Sequence, residues 1–194
     1  MVISDDFYTQ NTINIAQELL GCRIVHYTDF GIISGVIVET EAYLSNDPAS
    51  HSYHGKNHRN SAMFGKAGSA YIYFIYGMHY CFNVVGGQEG LGEAVLIRTL
   101  EPKTGIGLMK KYRKKDDIRN LCSGPAKLVE ALNITKNHNG ISLLGPPLYI
   151  EHRIDNNIDI VSCERIGIIR LKMSYYVFIL KTILLFPENN LSII

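Results

Sequence analysis

The chain lacks the cysteine pairs and the excess of one charge that would indicate a functional class directly. Its 194 residues include only four cysteines, Cys22, Cys81, Cys122 and Cys163, and these form no Cys-x-x-Cys pair. That spacing disfavours a zinc ribbon or a redox dithiol and favours reduced thiols. The formal net charge is only +1, so a basic surface for nucleic acid would have to be local.

A basic leader and a long apolar run are also missing. The first ten residues carry acids where a secretory signal needs basic residues and then an apolar segment. The late apolar stretch, residues 173–186, is interrupted by Lys181 and is shorter than the roughly 20 residues that a membrane-spanning helix needs. We therefore expect a soluble intracellular protein with no membrane partner.

Several signatures of enzyme classes are absent from the sequence. It has no Gly-x-Gly-x-x-Gly before a helix, no P-loop, no Gly-x-Ser-x-Gly elbow and no zinc-deaminase signature. His51, His54 and His58 have helical spacing, but the surrounding Gly, Asn and Ser disfavour a helix, and no acid or cysteine in this segment completes a ligand set. We expect neither a metal site nor a cofactor.

The hydrophobic pattern predicts one α+β domain. A chain of this length, with 46% hydrophobic and 19% charged residues, suits one globular domain better than two. Strand-like segments occupy residues 23–28, 31–43, 69–78, 79–87 and 93–102, and helical patterns occupy 10–20, 104–119 and 123–134, with Pro125 suited to a first turn. We predict a single domain over residues 1–194, with a mixed, mostly antiparallel sheet and surrounding helices.

The segment 31–43 ends with two acids and a tyrosine. Glu39, Glu41 and Tyr43 alternate along a predicted strand, so their side chains share one face. One interpretation is a pair of solvated acids at a strand end. The other is a carboxylate in an aromatic cleft, where burial makes it a useful general base beside a stacking surface. The second arrangement suits a planar, hydrolysable substrate.

A long polar loop, residues 44–68, leads into a segment rich in aromatic residues, and a connection of that length is usually functional or disordered. The aromatic residues are Tyr71, Tyr73, Phe74, Tyr76 and Tyr80, and basic residues surround them at Lys56, His58, Arg59 and Lys66 upstream and at Lys110, Lys111, Arg113, Lys114 and Lys115 downstream. Such tyrosines often belong to a core strand. Among positive charges, they favour a surface that stacks bases while cations hold phosphates.

Five blocks of the sequence resemble the alkyladenine (3-methyladenine) DNA glycosylase family, in order and with similar spacing. They are VIVETEAYL, ASHSYHG, RNSAMFGKAGSAYIYFIYGMHYCFNVV, AVLIRTLEP and LCSGPAKLVEAL, and the resemblance covers residues 5–168. It implies a monofunctional repair enzyme that flips alkylated or deaminated purines out of DNA and hydrolyses the N-glycosidic bond with an activated water. The implied partner is duplex DNA that contains damaged purines, and we expect a monomer. The implied location is cytoplasmic and nucleoid-associated in a bacterium, or nuclear in a eukaryote. Ala67 stands where the family usually has a proline, a small change in a loop.

The resemblance implies two catalytic residues. Glu41 matches the general base for the attacking water, and Arg98 matches the partner that positions this water. Hydrolysis at a deoxyribose C1′ passes through a cation-like centre, which an ionised carboxylate can stabilise. We assign Glu39 a structural or supporting role.

The resemblance also implies five residues that handle the base. Tyr43, His51 and Tyr73 match the side chains that sandwich the flipped base, and Asn83 matches a pocket asparagine that helps to exclude guanine. Tyr76 matches the side chain that wedges into the space left by the base, which offsets the cost of extrusion. Alkylated purines that carry positive charge stack favourably on tyrosine.

Residues 170–194 depart from the family, which continues with a strand resembling RFYIxxNxxVS. DNA that encodes residues 171–190 can, with allowed codons, read AEDVILCFYIKDNIVISRKQ in a neighbouring frame, and this contains a similar strand. Our hypothesis is a frameshift at the codon of Arg170, in the gene or in its sequencing. It would leave the catalytic residues in place and threaten folding through the loss of a strand and the gain of an apolar tail.

Two other functions are open from the sequence. A noncatalytic DNA-binding or lesion-binding protein, inactive through its altered carboxyl end, would bind abasic-site analogues without releasing a base. A hydrolase of free nucleosides would have no use for the basic stretches. Steep salt dependence of binding to duplex DNA would count against the nucleoside hydrolase.

Overall fold

The structure, a computed structural model, describes residues 1–154, 157–163 and 177–181. These residues include nine strands and four α-helices. The helices are α1 (Asp5–Tyr8), α2 (Thr12–Glu18), α3 (Ile106–Arg113) and α4 (Pro125–Ala131). The strands are β1 (Arg23–Thr28), β2 (Gly31–Tyr43), β3 (Ala70–Ile75), β4 (His79–Gly86), β5 (Glu93–Thr104), β6 (Leu144–Gly145), β7 (Leu148–Glu151), β8 (Ile160–Cys163) and β9 (Val177–Leu180).

The described strands form one sheet. Its main path has the order β3-β4-β5-β2-β1-β7-β6, while β9 pairs with β2 and β8. Every pair among these strands is antiparallel. The predicted α+β class with a mostly antiparallel sheet is confirmed, and no parallel pair occurs among the described strands. Short turns join β1 to β2 and β3 to β4, and such turns connect only antiparallel neighbours.

Strand β2 is the centre of the sheet, and at 13 residues it is the longest strand described. One edge pairs with β5 over most of its length. The other edge pairs first with β1, over Gly31–Val36, and then with β9, over Glu39–Glu41. The register against β5 shifts around Glu39, and such bulges bend a strand and re-aim its side chains.

The two faces of β2 have different surroundings. Thr40 and Ala42 point towards the main hydrophobic core, and the Thr40 hydroxyl donates a hydrogen bond of 2.7 Å to the carbonyl oxygen of Ala16 in α2. Tyr43 packs on the opposite side with a smaller cluster that contains Met63 and Tyr71. By the alternation of a strand, Glu39 and Glu41 share the face of Tyr43.

The helix ends show where local chain geometry overrides composition. The helix predicted over 10–20 is α2, and its N-cap Asn11 accepts a hydrogen bond from the backbone N–H of Ile13. Pro125 lies in the first turn of α4 as predicted. The prediction of a helix through residue 119 is wrong, because Lys114 adopts a left-handed conformation with φ of 51° and ends α3 at Arg113.

The segments predicted as strands at 69–78 and 79–87 form one hairpin of β3 and β4. The chain reverses at Tyr76 and Gly77, whose φ angles are 52° and 72°. Glycine adopts such angles freely, whereas tyrosine does so at an energetic cost. The turn leaves the side chain of Tyr76 projecting from the end of the sheet, where 72% of its surface is exposed.

Strand β9 belongs to the divergent tail. Val177, Phe178 and Ile179 are buried and face Glu41, Thr40 and Glu39 across the sheet. The other positions of the tail, 170–176 and 182–194, lie outside the described residues, and the frameshift remains a hypothesis. None of the helices in the described ranges has the length and apolar character needed to cross a membrane.

Phe178→Ala is expected to reduce the free energy of unfolding by about 3–5 kcal/mol, because it removes a fully buried aromatic ring from the core. Chemical denaturation with urea measures this loss. Phe30→Ala is the matched control: Phe30 is 67% exposed, and its removal is expected to cost less than about 1 kcal/mol. Equal effects of the two substitutions would show that β9 does not dock on β2.

Candidate active site

Strand register brings together candidate residues that are distant in the sequence. Glu41 pairs with Leu96 of β5, Leu96 pairs with Asn83 of β4, and Asn83 pairs with Tyr71 of β3. Directly paired residues of antiparallel strands place their side chains on the same face. Glu41 and Asn83 therefore share a face of the sheet with Tyr71.

The four predicted base-binding residues line one cavity. Tyr43, His51, Tyr73 and Asn83 surround it together with Ala49, Met63 and Tyr71, and its volume is about 40 Å³. The rings of His51 and Tyr73 meet edge to face, with centroids 4.5 Å apart. A cavity of this volume holds about one water molecule, so a purine would require its aromatic walls to separate.

The polar loop before β3 is held in place by its own asparagines. The buried side chain of Asn60 donates hydrogen bonds to the carbonyl oxygens of His51 (2.8 Å) and Gly55 (3.0 Å). Arg59 donates a bond of 3.0 Å to the carbonyl oxygen of Phe74 in β3. These contacts connect the His51 loop to the hairpin. The role of Asn60 in holding the loop was not predicted from the sequence, although repeated asparagines in a loop are typical of turns in which side chains bind the backbone.

The aromatic groups of the cavity are held in their neutral forms. Burial, and then the nearby charge of Arg59, lower the pKa of His51 from its usual 6.5. Burial raises the pKa of Tyr71 to about 12, and burial followed by the neighbouring Cys81 raises the pKa of Tyr73 further. The His51 ring nitrogen Nδ1 lies 2.8 Å from the Tyr71 hydroxyl. At neutral pH the cavity presents uncharged rings to a ligand.

Tyr71 also shapes the cavity through its backbone. The Asn83 side-chain amide donates a hydrogen bond of 2.9 Å to the Tyr71 carbonyl oxygen. This bond determines the orientation of a buried amide in the cavity wall. From the sequence, Tyr71 is predicted only as one member of the aromatic cluster. Its position two residues before Tyr73 was the signal that places both on one face.

The two acids of β2 are buried and share one arginine. Arg98 Nε donates to Glu39 Oε1 and Arg98 Nη1 donates to Glu41 Oε2, each at 2.8 Å. The Thr99 hydroxyl donates to the second Glu39 oxygen at 2.7 Å. The side chains of Glu41, Glu39 and Arg98 are 1%, 7% and 25% exposed. The interpretation of the acids as solvated groups at a strand end is therefore wrong. We call these three residues the carboxylate cluster.

The charge of Arg98 is secured by its partners. Burial alone would lower its pKa, but Glu41 and then Glu39 raise it, and the net shift is upward. By formal charge, one guanidinium between two carboxylates leaves one negative charge in excess. Such a buried group suits a substrate that becomes positive during reaction.

The tip of the β3–β4 hairpin is apolar and exposed. Phe74, Tyr76 and Met78 have exposures of 45%, 72% and 71%. Beside the tip lies a groove of about 340 Å³ between Met78–Tyr80 and α4, lined also by Tyr112 of the basic helix α3. Its lining contains neither acid of the carboxylate cluster. The tip thus presents hydrophobic side chains beside a groove that α4 and Tyr112 of α3 also line.

No group of three or more metal-ligating side chains occurs within the described ranges. His51 is engaged with Tyr71 and Tyr73 instead. The candidate site in the described part of the chain thus consists of the cavity, the carboxylate cluster and the hairpin tip.

A sequence profile described as methylpurine-DNA glycosylase matches residues 6–182 of the chain. The chain belongs to the methylpurine-DNA glycosylase family. The match includes the cavity, the carboxylate cluster and β9, so it extends beyond residue 168, where the resemblance seen in the sequence ended. The predicted family is confirmed.

Relatives in this glycosylase family are similar over most of their length. A protein of Francisella tularensis subsp. tularensis (strain FSC 198) is 52% identical over 174 residues, which are 88% of this chain and 90% of that protein. One of Carboxydothermus hydrogenoformans is 48% identical over 183 residues, 93% of this chain and 96% of its own. One of Methanoculleus marisnigri is 48% identical over 172 residues, with 87% and 89% covered. Each is provisionally named a 3-methyladenine DNA glycosylase.

Arg98→Ala is expected to reduce the free energy of unfolding by about 3–5 kcal/mol, because it leaves two buried carboxylates without their shared counter-charge. Urea denaturation measures this loss.

Arg23→Ala is the matched control. Arg23 pairs with Glu151 at an exposed position, where an ion pair contributes only about 0–1 kcal/mol. An Arg98 variant as stable as the Arg23 variant would contradict the view that the guanidinium holds the acids in place.

Proposed function

We propose that the protein is a DNA repair glycosylase that extrudes a damaged purine from duplex DNA, acts as a monomer, and hydrolyses the N-glycosidic bond with an activated water. The family and the names of the relatives support a DNA glycosylase for alkylated bases. The observation that carries the proposed mechanism is the position of the carboxylate cluster on the same sheet face as the aromatic cavity.

The cavity takes the extruded base. Tyr43 stacks on one face of the purine, and His51 with Tyr73 covers the other face. The neutral forms of these rings favour a base that carries positive charge, because a cation is attracted to an aromatic face and repelled by an imidazolium. The Asn83 amide excludes guanine by its interaction with the edge of the base.

The carboxylate cluster carries out the hydrolysis. The C1′–N bond breaks, its electron pair leaves with the base, and positive charge develops at C1′ and the ring oxygen. A water oxygen attacks C1′, and its proton passes to Glu41, while Arg98 positions Glu41 and the water. A cationic alkylated purine leaves as the neutral base, whereas a neutral purine leaves as an anion that takes up a proton from solvent. The DNA keeps an abasic site. The negative excess of the cluster stabilises the cation-like sugar in the transition state.

The hairpin tip supports extrusion. Tyr76 enters the stack at the position that the base has left, and the neighbouring apolar side chains contact the adjacent bases. Unstacking a nucleotide costs a few kcal/mol, and an inserted aromatic ring recovers part of this stacking. Lysines of α3 contact phosphates and contribute the salt-dependent part of binding.

Glu41→Gln is expected to lower the single-turnover rate of base release by about 100-fold or more, because it removes the general base. Its affinity for a duplex with a tetrahydrofuran abasic-site analogue should stay close to that of the parent. Release from oligonucleotides that contain hypoxanthine or ethenoadenine measures the rate. Glu101→Gln changes an exposed acid of β5 and is the control with parental activity.

The outcomes separate the candidate functions. A folded parent that binds the abasic analogue but releases no base would support the noncatalytic DNA-binding protein. Release from free nucleosides, with salt-insensitive and weak DNA binding, would support the nucleoside hydrolase. Full activity of the Glu41 variant would refute the assigned general base.

Tyr76→Ala is expected to slow base release from duplex DNA by roughly tenfold while leaving release from single-stranded DNA nearly unchanged, because only the duplex has a stack to fill. The ratio of the two single-turnover rates measures the effect. Tyr27→Ala removes an equally large, exposed ring from β1 and should leave the ratio unaltered. A parallel decrease on both substrates would contradict the wedge role.

A further inference from the structure

The contacts of Arg98 divide its charge between two acids. The guanidinium uses one edge nitrogen, Nε, for Glu39 and a different nitrogen, Nη1, for Glu41. An arginine with a single carboxylate partner commonly forms two parallel hydrogen bonds to it. Glu39 therefore occupies the edge of the guanidinium that carries Nε, and this edge is not available to Glu41.

Glu39 is itself held in a defined position. Its second oxygen accepts the hydrogen bond from Thr99, the residue that follows Arg98 in β5. The register shift of β2 occurs at Glu39, and its backbone pairs with Ile179 of β9 on the other edge. A buried acid with both oxygens bound and a backbone paired on both sides has little freedom to move. Its negative charge stays at a constant distance from Glu41.

The three charges would be balanced differently without Glu39. Arg98 and Glu41 alone would form a neutral pair, and a neutral pair stabilises a developing cation poorly. With Glu39 present, one negative charge remains in excess in a region with little water, where Coulomb interactions are strong. This excess negative charge would attract the positively charged sugar of the transition state.

We propose that Glu39 is a positioning residue for the hydrolysis: it takes the Nε edge of Arg98, which would otherwise be open to a bidentate pair with Glu41, and it keeps the carboxylate cluster negative towards the cation-like sugar. This inference rests on the proposed glycosylase function. It assigns Glu39 a role in transition-state stabilisation beyond the structural or supporting role expected from the sequence.

The test compares two analogues of the abasic sugar in the same duplex. One is the neutral tetrahydrofuran analogue, and the other is a pyrrolidine analogue whose ring nitrogen is positively charged at neutral pH and so resembles the cation-like sugar. The proteins are the parent, Glu39→Gln, Glu41→Gln, the double variant and Glu93→Gln. Glu93 is a matched control, because it also accepts several hydrogen bonds, from Thr12 and Ser45, but lies outside the cluster.

Glu39→Gln is expected to reduce the preference for the cationic over the neutral analogue by about tenfold, because one nearby charge is lost. The single-turnover rate should fall by a similar factor, while affinity for the neutral analogue stays near the parental value. Glu93→Gln should change neither the preference nor the rate. The double variant should lose less than the product of the two single losses, since both residues bind Arg98 and belong to one network.

Several results would overturn the role of Glu39. An unchanged preference in a folded Glu39→Gln protein, or equal losses for both analogues, would assign Glu39 to structure alone. Glu39→Asp, which keeps the charge, should retain the preference even if Glu39→Gln does not fold, and loss of the preference in a folded Asp variant would refute the charge argument. A parent that neither binds the analogues nor releases a base would instead refute the glycosylase function.

Discussion

The interaction on which the rest of the site depends is the pairing of one guanidinium with two buried carboxylates. Without Arg98, the two buried acids on one face of β2 would repel each other and would destabilise the packing of this strand. Arg98 and Thr99 reach them from β5, so the ion pair and the backbone ladder of β2 and β5 support each other. The longest strand pair of the sheet can therefore carry charge in its interior.

Two electrostatic environments lie side by side on this face. The rings of His51 and Tyr73 in the cavity are neutral, because burial lowers the pKa of His51 and raises the pKa of Tyr73. The carboxylate cluster next to it is negative. Under the proposed function this division separates recognition from chemistry: the rings accept a flat base, charged or neutral, and the acids act on the sugar. A single pocket with a positive charge would have to bind the base and act on the sugar together, and it would repel bases that carry positive charge.

The sequence allowed prediction of the features that depend on local periodicity. Alternation along β2 placed Glu39, Glu41 and Tyr43 on one face, and aromatic and β-branched residues marked the strands of the hairpin. The end of α3 was missed because the left-handed Lys114 has no signal in a run of lysines. The bulge at Glu39, the sharing of Arg98 and the Asn60 contacts depend on residues far apart in the chain, and periodicity carries no information about them.

Strand β9 has a consequence for the order in which the molecule can be assembled. The edge of β2 at Glu39–Glu41 is covered by residues that follow it by more than a hundred positions. On the ribosome, β1, β5 and the β3–β4 hairpin emerge and can pair while that edge is still open, because synthesis proceeds from the amino end. The nascent chain would thus expose an unpaired strand edge next to its two acids. The charge of those acids, which serves chemistry in the finished protein, would during synthesis discourage neighbouring nascent chains from pairing there.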